Sequence, residues 1–556
     1  MNSKVLPTVL RKTLPPNLEK IRNGHYTKSD YDYPIHLYLK PNDITVQQEG
    51  SEIVEYLRGK NVLVTGGTGF LGKLLIEKLL RSCKDIGKIY VIIRTKKAKD
   101  PQTRTNEFLD NWVFYKLSEM FPDYKKKVVG LSGDFELDGL GLSEESKELI
   151  TNEVQLIYHG AATIRFDENL KKAVKINIIG TQEMIDIAKQ CKHLEAFIHF
   201  STAFSNCHES HIREDFYPPH LDPYKLIKVT ENLSAEVIDK ITPGLLDSVP
   251  NTYAFTKQIA EDIVRQEAIG LPACIHRPSI VIACAREPIR SWVDNIFGPV
   301  GLIQGAAIGL VHIMLGNPNG RCDMVPVDYV INSCIATSYQ VAKERNLSKV
   351  PIFNYTTSND NPLLWRGLSM NSEQGVKVGS TILLAKAFFR FTKCLYWFYF
   401  LNFLLHTIPA FIADHVAVLL GKKPLLGKAY SKINKFMSVL SHFTCNQWTY
   451  EYNNTVESWQ NLNNIDKRNF PFDMSTIDWQ DYFDTYLVAM REFLVKEPLD
   501  NLEAGRRWLK IINTTHYAVF TLLTVFSAYY LLNTIFFFIP VCIISVELYY
   551  LFTNDR

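Results

Sequence analysis

Asn61-Val-Leu-Val-Thr-Gly-Gly-Thr-Gly-Phe-Leu-Gly72 is an apolar run that turns directly into a glycine-rich loop. Val62, Leu63 and Val64 suit a short parallel strand covered on both faces. Gly67, Gly69 and Gly72 then satisfy G-x-G-x-x-G, and Gly66, Gly69 and Gly72 satisfy a wider three-residue repeat. Glycine at these positions permits a tight turn, close approach of the backbone to a pyrophosphate, and close packing of the following helix. From Phe70 to Leu80 the apolar spacing is helical, so the helix N-terminus would face the phosphates. A glycine turn without a ligand could carry the same residues. The strand before it and the helix after it argue for a dinucleotide site in an α/β fold.

The second strand reads Ile89-Tyr90-Val91-Ile92-Ile93. A carboxylate near such a strand's end holds the ribose 2′-hydroxyl of NAD. Here that end carries Arg94, then Thr95, Lys96 and Lys97, with no acidic residue before Asp100. A guanidinium can hold a 2′-phosphate bidentately, which favours NADPH. Lys96, Lys97 and Lys99 read equally as a solvated loop. Leu131-Ser-Gly-Asp-Phe135 ends a third strand, with Asp134 either near the adenine or simply forming a turn.

Tyr253-Ala-Phe-Thr-Lys257 sets a phenol and an ammonium four residues apart, on one face of a helix. A neighbouring ammonium favours the phenolate, so Tyr253 is expected to pass a proton near neutral pH. Upstream, Glu195-Ala-Phe-Ile-His-Phe-Ser-Thr202 is an apolar strand ending in two hydroxyls, either of which could hold a carbonyl oxygen. Gln155 to Ala162 is another strand, ending in small residues (Ala161, Ala162) against which a nicotinamide could lie flat.

These stretches resemble the extended short-chain dehydrogenase/reductase superfamily, and within it the alcohol-forming fatty acyl-CoA reductases. The resemblance rests on Thr65 to Gly72, His159-Gly-Ala-Ala-Thr163, Lys175-Ile-Asn-Ile-Ile-Gly-Thr181, Ser201-Thr-Ala-Phe-Ser-Asn206, Tyr253-x-x-x-Lys257 and Arg277-Pro-Ser-Ile280. It spans roughly Gly59 to Asp500. It implies a Rossmann-type doubly wound parallel sheet, then a mainly helical C-terminal domain. It also implies NADPH-dependent reduction of a fatty acyl-CoA to a primary alcohol through an aldehyde, without metal. Tyr253 would donate the proton with Lys257 as its partner; Thr202 is the first choice for the third member and Ser201 the alternative. Thr65, Gly66, Gly67, Thr68, Gly69, Phe70, Leu71, Gly72, Arg94, Asp134, Ala161, Ala162, Asn177, Tyr253, Lys257 and Pro278 would surround the cofactor. Phe204 stands where many relatives carry Tyr. The long interval between Thr202 and Tyr253 suggests a substrate-facing insertion over residues 207–250. Two rivals stay open. One is a membrane-bound 3β-hydroxysteroid dehydrogenase type; the other is a non-catalytic lipid-binding protein that retains a nucleotide.

A chain of 556 residues needs more than one core. Its formal charge of +3 gives no sign of nucleic-acid binding. Ten scattered cysteines, with no C-x-x-C pair, argue against a disulfide framework or a metal site and for a reducing compartment. The first residues lack an apolar core region, so no signal peptide is expected. Residues 1–55 read as an extension of low helical content, 56–350 as the cofactor-binding catalytic domain with its substrate segments, and 351–510 as the helical domain.

Tyr517 to Val546 carries no charged residue and exceeds the roughly 20 apolar residues of one membrane crossing. It reads as a membrane-embedded segment that spans once as far as Ile539, where Pro540 ends or kinks it, or as a tilted span or a hairpin. Arg506, Arg507 and Lys510 before it place the catalytic part on the cytosolic side, at the endoplasmic reticulum or the peroxisome. Cys394 to Ala413 is a second apolar block, crowded with aromatics. It is read first as an amphipathic or re-entrant element in contact with membrane lipid, with a full span or a core helix as alternatives. Glu451 to Asp481 looks like polar surface structure.

Overall fold

The computed structural model describes residues 44–94, 100–370 and 377–553. The expectations for residues 1–43 and for Lys96, Lys97 and Lys99 lie outside the described residues.

Seven parallel strands form the central sheet: β1 Val62–Thr65, β2 Ile89–Ile93, β3 Val128–Ser132, β4 Leu156–His159, β5 Ala196–Phe200, β6 Ala273–Pro278 and β7 Ile352–Tyr355. Their order is β3-β2-β1-β4-β5-β6-β7. The chain winds outward from β1 to β3, then returns to β1's other side at β4. That reversal opens a crevice between the carboxyl ends of β1 and β4, where doubly wound sheets bind ligands. β1, β2, β4, β5, β6 and β7 are buried at every position, as uninterrupted apolar runs in a sheet covered on both faces should be.

The helices that matter for the site are α1 Glu52–Leu57, α2 Phe70–Ser82, α3 Gly180–Gln190, α4 Pro223–Asn232, α5 Ala235–Leu246, α6 Thr252–Glu267, α7 Val327–Glu344, α8 Leu395–Leu419, α9 Leu426–Cys445, α10 Trp479–Phe493 and α11 Leu502–Thr553. α8 includes a widened turn over Phe403–Thr407. The doubly wound sheet and the helical C-terminal region agree with the sequence reading.

Several boundaries do not. The sheet's last strand, β7, lies beyond the limit set at residue 350. α1 straddles the boundary set at residue 55; Ser51 caps it, and Ile53, Val54 and Leu57 enter the main core. The Glu451–Asp481 stretch is not surface structure. Leu462, Phe470, Phe472, Met474 and Trp479 from it lie in the same core as β1 and α2. Its apolar residues sit at irregular spacing around short helices and turns, so no period announced them. Burial of each large side chain contributes about 1.5–3 kcal/mol.

The late segments are also tied by polar contacts. Lys78 on α2 donates to Glu287 at 2.5 Å and to the Asn469 carbonyl at 2.6 Å, while Arg81 pairs with Glu77 at 2.7 Å and with Glu287 at 2.9 Å. All four side chains are buried or nearly so. Removing one partner of such a network strands a buried charge. Parallel two-strand pairs add further ties: His211–Ile212 with Thr449–Tyr450, and Ile313–Leu315 with Arg390–Thr392.

α11 is one continuous helix through Pro540, which neither ends nor divides it. The segment Leu499–Ile535 is long and apolar enough to cross a membrane, and none of its most apolar stretch is buried in the protein. Its base is fastened by Trp508 Nε1, which donates to the Leu383 carbonyl at 2.8 Å, and by Lys386, whose ammonium lies 4.0 Å from the Tyr517 ring centre. α8 has the same properties of length and composition. Only His406 and Ala410 of α8 are buried, so it is not a core helix.

Candidate active site

The glycine loop sits at the crevice. Gly66 has φ +72, and a Cβ there would lie 2.7 Å from the Gly160 carbonyl oxygen at the tip of β4. A Cβ on Gly72 would lie 2.3 Å from the Gly66 oxygen, so α2 packs directly on the turn. Gly69 caps α2 without a side-chain hydrogen bond, which leaves the first N–H groups of the helix free for an anion. A pyrophosphate therefore fits this cradle. Thr65 is occupied otherwise. Its hydroxyl meets His159 Nδ1 at 2.9 Å and accepts from the Ala161 N–H at 3.0 Å, fixing the tips of β1 and β4 together. Phe70 stacks on Trp292, which is buried.

At the end of β2 the reading changes. Arg94 lies 2.9 Å from Asp134 and 2.9 Å from Glu136, and Glu136 also pairs with Lys172. The end of β2 is therefore not free of carboxylates: they arrive from the turn after the neighbouring strand β3, beyond the reach of a reading along β2 alone. Asp134 also accepts the Glu136 N–H at 3.0 Å, the contact of a turn. Asn177 braces the site rather than lining it openly. It is buried, and its amide bonds Thr163 and, at 2.9 Å, Thr256 on α6. Pro278 is buried at the end of β6, where its carbonyl accepts the Ala203 N–H at 2.9 Å.

Asn251 caps α6 by accepting the Ala254 N–H at 2.9 Å, and so delivers Tyr253 and Lys257 on the helix's inner face. The Thr202 hydroxyl, which accepts the Phe204 N–H at 3.3 Å, is near enough to the Tyr253 phenol to favour its anion. Burial is the larger influence and pushes that phenol up to about 12. Lys257 does not lower it as expected. The Lys257 ammonium is buried and donates to the Phe200 carbonyl at 2.5 Å, and burial draws it down to about 8.

Ser201 faces elsewhere. Its hydroxyl donates to Glu261, which also takes both Arg277 Nε at 2.8 Å and Arg277 Nη2 at 2.6 Å. Arg277 is fully buried and reaches the carbonyls of Arg213 and Asp215 at 3.1 Å each. The segment 207–250 is thereby locked to the site; it forms His211–Ile212, α4 and α5. Glu261 was overlooked in the sequence, although it lies four residues beyond Lys257 and shares its face. Phe166 was also overlooked. Its ring stacks on Tyr253 at 5.9 Å, and nothing in its loop has a period that would mark it.

Residues 64–334 match an NAD-binding family model described as Male sterility protein, and residues 405–497 match a second, named Sterile, with the same description. Fatty acyl-CoA reductase wat of Drosophila melanogaster is 37% identical over 525 residues, covering 93% of this chain and 99% of that protein. Fatty acyl-CoA reductase 1 of Homo sapiens is 37% identical over 85% of this chain and 92% of its own. Among solved structures, the terminal R domain of the myxalamid PKS-NRPS pathway superposes with a TM-score of 0.51 at 20% identity, covering 81% of this chain and 96% of that one. The reductase domain of a nonribosomal peptide synthetase from Mycobacterium tuberculosis gives 0.52 at 18%, over 83% and 95%. At those identities the likeness is one of fold.

Proposed function

The chain belongs to the fatty acyl-CoA reductase family, and we propose that it reduces long-chain or very-long-chain fatty acyl-CoA to the primary alcohol with NADPH, through the aldehyde and with release of CoA. It is an oxidoreductase with a nicotinamide-binding domain. The observation that carries the finer reading is the Tyr253 phenol, with Thr202 close to it and the apolar ring of Phe166 stacked on it.

The loop Gly66 to Gly72 and the start of α2 would hold the pyrophosphate, and Arg94 the 2′-phosphate, exchanging one of its two carboxylates for it. Bound there, NADPH supplies hydride for both reductions. Thr202 and Tyr253 hold the acyl oxygen as it gains negative charge. Collapse of the resulting hemithioacetal breaks the carbon–sulfur bond and frees CoA thiol, leaving the aldehyde. Tyr253 keeps its proton across the physiological range, so it is loaded to protonate the alkoxide of the second reduction. Lys257 serves the phenol once it leaves the Phe200 carbonyl. Ser201 positions Glu261 and Arg277 instead of touching substrate.

α8 and α11 hold the enzyme on a membrane with its catalytic part in the cytosol; Arg506, Arg507 and Lys510 at the base of α11 support that orientation. Product analysis tests the reading. Full-length enzyme with palmitoyl-CoA and NADPH should yield hexadecanol and free CoA thiol. Oxidation of a 3β-hydroxysteroid with NAD, and no alcohol from palmitoyl-CoA, would sink it.

A further inference from the structure

α9 carries Ile433, Phe436, Met437, Leu440 and Phe443 at three- and four-residue spacing, which aligns them in one apolar stripe along the helix. At one end Phe443 meets Phe166 at 5.6 Å and Phe204 at 5.2 Å. Phe166 is the ring that stacks on Tyr253, and the Phe204 N–H donates to Thr202 Oγ1 at 3.3 Å. This end therefore touches the catalytic pair. At the other end the Tyr430 ring stacks on His406 at 5.1 Å, and His406 is the buried pin of the otherwise bare helix α8. The rise from Ile433 to Phe443 is about 15 Å.

Met437 and Leu440 are buried against Leu302, Val311 and Met314. Ile433, Phe436 and Phe166 pack on the same cluster yet stay only half covered. Lys435 on α9 reaches Asp167, next to Phe166, at 2.8 Å, and both side chains are exposed. The stripe thus has a buried floor, a half-open apolar wall and a polar rim. It runs from the reacting phenol to α8, whose aromatics are largely exposed.

We propose that the acyl chain of the substrate lies along this stripe, entering from the bilayer beside α8, and that Phe436 selects for chains long enough to pass it. The inference rests on the fatty acyl-CoA reading above. A short acyl chain ends before Phe436 and gains nothing from it; a long chain covers Phe436 and Ile433 and removes them from water.

The test is the ratio of kcat/KM for palmitoyl-CoA over octanoyl-CoA, measured with full-length enzyme in phosphatidylcholine vesicles. Phe436→Ser should lower that ratio about tenfold or more, and Phe436→Leu should restore most of it. A purely structural role would lower both substrates together and leave the ratio in place, which would overturn the proposal. If Phe436→Ser no longer binds NADPH by fluorescence, Ile433→Ser carries the same comparison: a lowered ratio supports the stripe and an unchanged one overturns it. Wild-type enzyme that reduces both chains equally well defeats the stripe alone. Wild-type enzyme that reduces neither defeats the proposed function as well.

Discussion

At the carboxyl edge of the sheet, Thr65, Ser201, Thr202, Lys257 and Glu261 are all buried, and each is hydrogen-bonded within the protein. Along α8 the relation is inverted. Tyr396 is 86% exposed, Tyr399 60%, Phe400 53% and Phe411 63%. α10 serves as a control, because it is also aromatic but holds Tyr482, Phe483 and Tyr486 buried while carrying Asp481, Asp484, Arg491 and Glu492. Apolar content does not decide which helix goes inside; a facing apolar surface does, and α8 has one only at His406 and Ala410. The edge excludes water from polar groups, whereas α8 leaves its apolar groups exposed. Substitutions should separate the two.

The largest separation is expected at Tyr253. Tyr253→Phe should lower kcat about 100-fold or more while membrane retention stays as in the wild type. Its mirror is Trp397→Ser, Phe400→Ser and Phe403→Ser together, in a chain cut after Lys510. That protein should leave the membrane on carbonate extraction yet still bind NADPH. Near-normal alcohol output from Tyr253→Phe would remove the phenol from the mechanism. A cut chain that resists extraction with its aromatics replaced would show that α8 is not what holds it.

Arg94→Ala comes next, with a rise of about tenfold in KM for NADPH and little change for NADH. Equal losses with both cofactors would mean that Arg94 serves Asp134 and Glu136 and does not read the 2′-phosphate.

Within the edge itself, Thr202→Ala should reduce kcat, though by less than Tyr253→Phe. Ser201→Ala should instead lower stability by about 1–3 kcal/mol in denaturant unfolding, since it takes a donor from buried Glu261. A larger kcat loss in Ser201→Ala than in Thr202→Ala would reverse the two roles.

The pH dependence follows from Lys257, whose folded value of about 8 lies below its ordinary 10.5. Its positive charge is present below that value, so kcat should fall as pH rises through about 8. Stability moves the opposite way. Between about 8 and 10.5 the unfolded chain binds the proton and the folded one does not, so this group's contribution rises with pH. Lys257→Met should erase both trends, and a falling limb that survives in that variant would assign it to another group.

The smallest effect is expected at the rim. Asp167→Asn breaks an exposed pair with Lys435 and should change stability by about 1 kcal/mol or less. A loss of several kcal/mol, read by unfolding, would mean the stripe is held shut by that bridge.

What was legible in the sequence was local. Gly66 to Gly72 follows its strand and leads its helix within a dozen residues, and helical spacing alone puts Tyr253 and Lys257 on one face of α6. Glu261 lay on the same face and could have been read by the same rule. The carboxylates beside Arg94 could not, because Asp134 and Glu136 reach it across a strand pairing. Nor could the burial of Phe470 and Phe472, which are spaced around turns and find their partners in α2 and the central sheet. The resemblance put Thr202 first and Ser201 second, but the Ser201 contact with Glu261 was not legible, because it depends on the direction in which the hydroxyl leaves β5. Sequence places both there and orients neither.

The contact between Lys78 and the Asn469 carbonyl has a consequence for how the chain is made. The cofactor-binding turn is finished within the first hundred residues, but part of what packs on α2, including Phe470 and the Asn469 carbonyl, comes from residues beyond 460. At about 5–20 residues per second, residue 493 follows residue 93 off the ribosome by roughly 20–80 s. Until residue 469 emerges, Lys78 on α2 lacks that partner. α11 begins only nine residues after α10 ends, whereas α8 precedes the segments that complete the core. Order of synthesis thus exposes α8 before residues 460–493 can complete the core.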